Sequence, residues 1–152
     1  MKTLKTSDVL TAYNILSGSK YTNLSDADKI KVWKIAREMK PIATKFEEDA
    51  KDASEKFRPE GNYDEMFPKA QEYERIKREK SKETLPITDK EYDDFIEVFK
   101  KYQNLVNEAI NEFANKELEL NFSPLSEETF EKLMTSNDWT IDQSMVLGDI
   151  LM

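Results

Sequence analysis

The chain has 152 residues, 38% hydrophobic and 36% charged, with a formal net charge of −8 and neither cysteine nor histidine. That length suits one domain with a buried core, and this balance is typical of elongated helical proteins with narrow apolar stripes. The missing residue types exclude disulfides, thiol chemistry, Ser–His–acid triads, histidine general bases and most transition-metal sites.

Eight Phe, six Tyr and two Trp recur along the chain, as a folding sequence requires and a disordered one lacks. With only three glycines, a hairpin-rich β fold or a glycine loop cradling phosphate is not expected. No long apolar run exists, and the lysines of Met1–Asp8 are followed by no apolar segment. Neither a membrane span nor a signal peptide is expected. Residues 1–57 carry 11 basic against 9 acidic side chains, residues 58–88 carry 7 against 7, and residues 89–152 carry 5 against 15. Direct nucleic-acid binding needs a basic face. The acidic half therefore reads as a solvated surface, or as one that mimics a nucleic acid.

The first helix is predicted over residues 7–17, capped by Thr6 or Ser7, with Val9, Leu10, Tyr13 and Leu16 on one face and Gly18 at its end. A long helix follows over 26–57. Ser25 and Asp28 form a short-armed capping box, and Leu24 is placed as a staple. Ile30, Trp33, Ala36, Met39, Ala43, Phe46, Ala50, Ala53 and Phe57 recur at steps of three or four and read as its seam, which makes Trp33 a core residue. Pro41 falls inside this helix and predicts a kink near Met39–Pro41 or two abutting helices.

Residues 58–88 read as a charged excursion holding one helix through Met66, Phe67, Ala70, Tyr73 and Ile76, with the stretch from Arg75 to Glu83 solvated and mobile. A second long helix is predicted over 89–117. Thr88 and Glu91 form its capping box, Ile87 its staple, and Tyr92, Phe95, Phe99, Tyr102, Val106, Ile110 and Phe113 its stripe. The two long helices, each about 40–45 Å at 1.5 Å per residue, have matching seams that favour an antiparallel pair. Lys29, Lys31, Lys34 and Arg37 would then lie near Glu108, Glu112 and Glu117 and favour this register over its reverse.

Strict alternation over 117–122 (Glu-Leu-Glu-Leu-Asn-Phe) predicts a strand. Its partner is to be sought in Met1–Lys5, Lys20–Leu24, Leu85–Ile87 or another subunit. Two short helices are expected over 126–151, the last capped by Thr140 and Gln143. The fold class is thus mainly α: a long antiparallel helical hairpin with short flanking helices and room for one small two-stranded β ribbon.

No P-loop, dinucleotide fingerprint or EF-hand loop is present. Glu47-Glu48-Asp49 and Asp93-Asp94 are the carboxylate clusters open to magnesium binding or acid–base work, but both sit on polar helix faces, where carboxylates are usually solvated. No catalytic residue, cofactor site or metal site is therefore assigned. Trp139, in a Ser-Asn-Asp-Trp-Thr connection, either staples the last helix or anchors a partner.

The order of short helix, long helix, charged excursion and second long helix leads into Lys116-Glu117-Leu118-Glu119-Leu120-Asn121-Phe122, then Leu125-Ser126, and closes on Leu147-Gly148-Asp149-Ile150-Leu151. This order resembles small helical-hairpin proteins of unknown function from tailed bacteriophages and prophages. The resemblance implies a phage origin and a non-enzymatic role, either virion-associated or cytoplasmic in the host cell. The expected partner is a phage structural or assembly protein, a host protein, or a second copy of the chain. The rival expectation is an acidic inhibitor of a host nucleic-acid enzyme or defence protein. A strand with no assigned partner beside an apolar C-terminal segment makes Leu118, Leu120, Phe122, Trp139, Ile150 and Leu151 the candidate partner interface.

Overall fold

An alternating segment such as Glu117–Leu120 leaves its backbone N–H and C=O groups unpaired until another strand lies beside it. In the computed structural model, which describes residues 1–152, that strand is supplied by Lys2–Lys5. The elements run β1 (Lys2–Lys5), α1 (Thr6–Ser17), α2 (Asp26–Lys56), α3 (Tyr63–Arg78), α4 (Asp89–Asn115), β2 (Glu117–Leu120), α5 (Glu127–Thr135) and α6 (Ile141–Leu151). The fold is mainly α with one two-stranded antiparallel ribbon. Its tertiary packing forms two compact units, one of Met1–Asp49 with Asn111–Met152 and the other of Ala50–Ile110.

In the first unit the ribbon register sets Lys2 opposite Leu120, Thr3 opposite Glu119, Leu4 opposite Leu118 and Lys5 opposite Glu117. The period of two sends Leu4 and Leu120 into the core, while Glu117 and Glu119 face solvent. Lys2 shares the inward face, and its ammonium reaches the carbonyls of Asp149 (2.6 Å) and Ile150 (2.7 Å) at the end of α6. Those carbonyls have no intrahelical donor, and a cation is favoured at that end of a helix. The chain then enters α1 without a side-chain cap. Lys5 occupies the N-cap position, and Thr6, expected to cap the helix, instead gives both its N–H and its hydroxyl to the Lys116 carbonyl at 2.9 Å. β1 runs directly into the helix, so the residue just before β2 satisfies a donor that a cap would otherwise take.

The core joins Leu4, Val9, Leu16, Val32, Ile35 and Met39 to the C-terminal Leu133, Leu147 and Leu151. α2 begins as predicted, with Ser25 Oγ accepting from the Asp28 N–H at 3.2 Å. Its buried face differs from the predicted seam in the first three turns. Val32, Ile35 and Met39 are buried, whereas Ile30 and Trp33 are 53% and 52% exposed. Met39 sets the phase: at about 100° per residue, Val32 and Ile35 share its face, while Trp33 lies about 120° away and Ile30 about opposite. Trp33 is therefore a surface residue, with the Arg37 guanidinium 4.8 Å above its ring. α2 passes through Pro41 as one helix rather than two. Pro41 is exposed, so the Arg37 carbonyl that loses its donor lies where water can replace it. Lys29 and Lys31, expected to set a long-range register, pair one turn away with Asp26 and Asp28.

In the second unit α3 and the 89–110 part of α4 pack through aromatic rings. Tyr63 stacks on Phe95 and Tyr102 with centroids 5.4 and 5.8 Å apart, and Tyr73 stacks on Tyr92 at 4.2 Å. The Tyr102 hydroxyl donates to the Ser54 carbonyl at 2.6 Å and ties α4 to the end of α2. The predicted capping box forms: Glu91 N–H donates to Thr88 Oγ1 and Thr88 N–H to a Glu91 carboxylate oxygen, each at 3.1 Å. The Thr88 backbone N–H, and after it the Thr88 side chain, hold the Glu91 carboxyl below its usual range. The stretch 75–83 is largely solvated, as expected, and its carboxylates gather around one side chain. Arg75 bonds Glu72, Glu79 and Glu83, and α3 closes with Ser81 N–H to Ile76 C=O (3.1 Å) and Lys80 N–H to Lys77 C=O (3.3 Å). This is the glycine-type helix stop, with Lys80 at φ 52° in the left-handed position.

Leu4 is a buried member of a short strand, so Leu4→Ala is expected to lower stability by about 2–3 kcal/mol in urea unfolding. The outward Glu119→Ala should change it by less than about 0.5 kcal/mol. Equal costs at the two positions would contradict the register. The second unit gives a prediction at high pH. Tyr73 donates to Asp89 and Tyr92 to Glu74, and beside these carboxylates, with burial adding to the effect, both phenols are pushed up to about 12. Folding thus favours the neutral phenols, and their contribution is complete below the ordinary value of about 10. It is lost as pH rises through about 12. Tyrosinate absorbance during alkaline titration should show these two residues ionising last, and Tyr73→Phe should remove one late step. A single titration of all six tyrosines near about 10 would contradict it.

Candidate interaction surface

Burial decides which of the sequence-predicted interface residues a partner could reach. Leu120 and Leu151 are 2% and 0% exposed, and Phe122 and Ile150 are buried in the same core. Leu118 is half-buried against that core. These residues are thus brought together as expected, but inside the first unit rather than on its surface. The physical reason is β1: once it pairs with β2, the apolar face of the ribbon closes over α6, and the Leu125 N–H bonds the Leu151 carbonyl at 2.8 Å. Trp139 is half-buried. Its ring lies 6.1 Å from Phe130, and its indole N–H donates to Ser19 Oγ at 3.1 Å.

That indole bond belongs to a clasp between the two loops of this end. Asn137 accepts from the Lys20 N–H (2.6 Å) and donates to the Lys20 carbonyl (2.9 Å), and Asn23 N–H donates to Ser136 Oγ (2.9 Å). The segment Lys20–Leu24, a candidate strand in the sequence, is instead held here as a loop. The clasp fixes the entry of α6, whose capping box of Thr140 and Gln143 forms as predicted.

α6 presents two apolar arcs. Leu147, Ile150 and Leu151 face the core, whereas Ile141 and Met145, one turn apart, are 79% and 63% exposed, and Val146 and Met152 are also exposed. Ile141 and Met145 border a recess of about 450 Å³ whose floor is Phe130, Met134 and Trp139. At about 100° per residue, Asp142 and Asp149 line up beside Met145, and residues 133–152 include no lysine or arginine. The sequence carried this signal: the C-terminal helix has more apolar positions than one buried arc can hold. Period alone did not say which arc would be outside.

A second exposed apolar face lies on α2, where Ile30 and Trp33 sit among Lys34, Arg37 and Lys40. In the second unit, Tyr63, Met66, Phe95 and Val98 line a recess of about 250 Å³ rimmed by Glu60, Glu91 and Asp94, and Glu91 is committed to the α4 cap. No group of three or more Asp or Glu side chains is placed to hold a metal ion. Asp49, from the first carboxylate cluster, pairs with Lys45 at 2.9 Å. No helix is long and apolar enough to cross a membrane.

No family model, curated protein or solved structure matches this chain.

The two arcs of α6 should separate by mutation. Leu151→Ala, in the core, is expected to cost about 2–5 kcal/mol by cavity formation. Ile141→Ser, on the outer arc, should leave stability within about 0.5 kcal/mol while reducing binding of a hydrophobic dye to the native protein. An unfolding cost at Ile141 matching that at Leu151 would place the outer arc in the core.

Proposed function

We propose that this chain is a non-catalytic protein–protein interaction or assembly protein of phage type, working through the outer arc of α6. The observation that carries the reading is the Ile141–Met145 stripe, exposed on a helix that is capped, clasped and packed on its other side. Exposed large apolar side chains on a rigid element cost solubility unless something covers them, and such patches mark interaction sites. Methionine suits the role because its flexible, polarizable side chain adapts to a partner's shape. The resemblance to phage and prophage helical-hairpin proteins supplies the setting, with the chain either carried in the virion or acting in the host cytoplasm during assembly.

Purified particles from the source phage or induced prophage, assayed by quantitative mass spectrometry, test this. The chain is expected at a fixed ratio to a known structural protein, or co-purifying with a morphogenetic intermediate, and Met145→Lys should reduce either signal at least tenfold. Absence from both fractions removes the assembly reading. Salt-sensitive binding to a host nucleic-acid enzyme, competed by DNA, would favour the acidic-inhibitor alternative.

A further inference from the structure

The two exposed apolar faces of the first unit carry opposite charge. On α6, Ile141 and Met145 are flanked by Asp142 and Asp149; residues 133–152 hold no cation, and the nearby Lys2 ammonium is bonded to the main-chain carbonyls of Asp149 and Ile150. On α2, at about 100° per residue, Ile30, Arg37 and Lys40 all fall within about 60° of Trp33, with Lys34 at the margin, while Asp26 and Lys29 in the same arc pair with each other. Ion pairs in this unit join Lys29 to Asp26, Lys31 to Asp28, Lys45 to Asp49 and Lys132 to Glu128. Lys34, Arg37, Lys40, Asp142 and Asp149 take part in none of these. Neither apolar face is covered within the chain, since Trp33, Ile30, Ile141 and Met145 each expose more than half of their surface. Trp33 is restrained by the Arg37 guanidinium over its ring, and a Trp–Arg pair held in place before binding is the composition of an interface anchor.

We propose that the acidic-apolar face of α6 docks on the basic-apolar face of α2 in a second copy of this chain. Trp33 inserts beside Met145 and Ile141, while Arg37 and Lys34 meet Asp142 and Asp149. Charge selects this occupant. Two α6 faces brought together would oppose carboxylate to carboxylate, and two α2 faces would oppose cation to cation, whereas the unlike faces neutralise each other. Because the two faces are different patches, one contact leaves a free face on each partner, and the assembly either closes as a reciprocal two-fold pair or propagates to a ring or a filament. The inference deepens the interaction reading by naming the occupant of the α6 face, and it rests on that reading.

The test is sedimentation velocity on the full chain and two variants, each blocking one face. Met145→Lys puts a cation on the α6 face, and Trp33→Ser removes the α2 anchor; both sites are exposed, so circular dichroism should match wild type. Wild type is expected to associate as concentration rises, to a dimer where both contacts close in one pair and to larger species otherwise, and each variant alone should associate at least tenfold more weakly. An equimolar mixture, pairing the intact α2 face of one variant with the intact α6 face of the other, should stop at a dimer. Charge reversal at Asp142 and Asp149 should abolish assembly, and Arg37→Glu with Lys34→Glu should restore it. A monomeric wild type, a mixture that stays monomeric, or a variant that assembles like wild type overturns the proposal. The particle assay reads the interaction role separately: a monomeric chain found in particles overturns only self-association, and an assembling chain absent from particles overturns only the phage setting.

Discussion

The first unit depends on the pairing of β1 with β2. A four-residue strand cannot stand alone in water, and this pairing bonds one edge of Glu117–Leu120, places Leu4 and Leu120 in the core, and delivers Lys2 to the open carbonyls of α6. It also lets β1 run into α1 without a cap, because Thr6 finds its acceptor on Lys116. Remove the ribbon and four separate requirements lose their solution together: a strand edge, a helix start, a helix end and a core wall. Lys2 shows the economy of the arrangement, since a lysine on the apolar face would be unfavourable unless its ammonium met an acceptor there.

The helix α2 shows how one buried residue sets the phase of several others. Met39 and Ala43 are core, and the rigid geometry of the helix carries that phase back to Ile35 and Val32. Ile30 and Trp33 are then outside whatever their hydrophobicity. The same reasoning applies to α6, where Leu147, Ile150 and Leu151 occupy the inner arc and leave Ile141 and Met145 outside. In both helices the surplus of apolar residues over buried positions is what creates an exposed face, and the charges beside each face give it a sign.

The second unit is held differently. Stacked rings pack there beside the buried aliphatic Ala70, Ile76 and Ile87, and the phenol groups at its edge donate to Asp89 and Glu74. A tyrosine can satisfy a partly buried position in this way because its body is apolar and its tip needs only one acceptor. Arg75 acts similarly at the end of α3, where one guanidinium gathers three carboxylates from a segment with no apolar side chain after Ile76. Its charge suggested a solvated connection, and the forked donor geometry of arginine lets one side chain bridge three of its carboxylates there.

Local signals in the sequence determined the mainly α class, the positions of the helices, the strand at Glu117 and the capping boxes at Thr88 and Thr140, because caps and periodicity act within a few residues. The absence of histidine and cysteine likewise bounded the chemistry before any fold was known. Only the tertiary structure decided that β1 is the partner of β2, that Pro41 lies within a continuous helix, and which arcs of α2 and α6 face inward. Those outcomes depend on what packs from elsewhere in the chain. The candidate surface moved accordingly, from Leu118, Leu120, Phe122, Ile150 and Leu151 to Ile141 and Met145 on the same C-terminal segment. Sequence period locates an apolar face on a helix, but where two such faces compete, the core they can reach chooses between them.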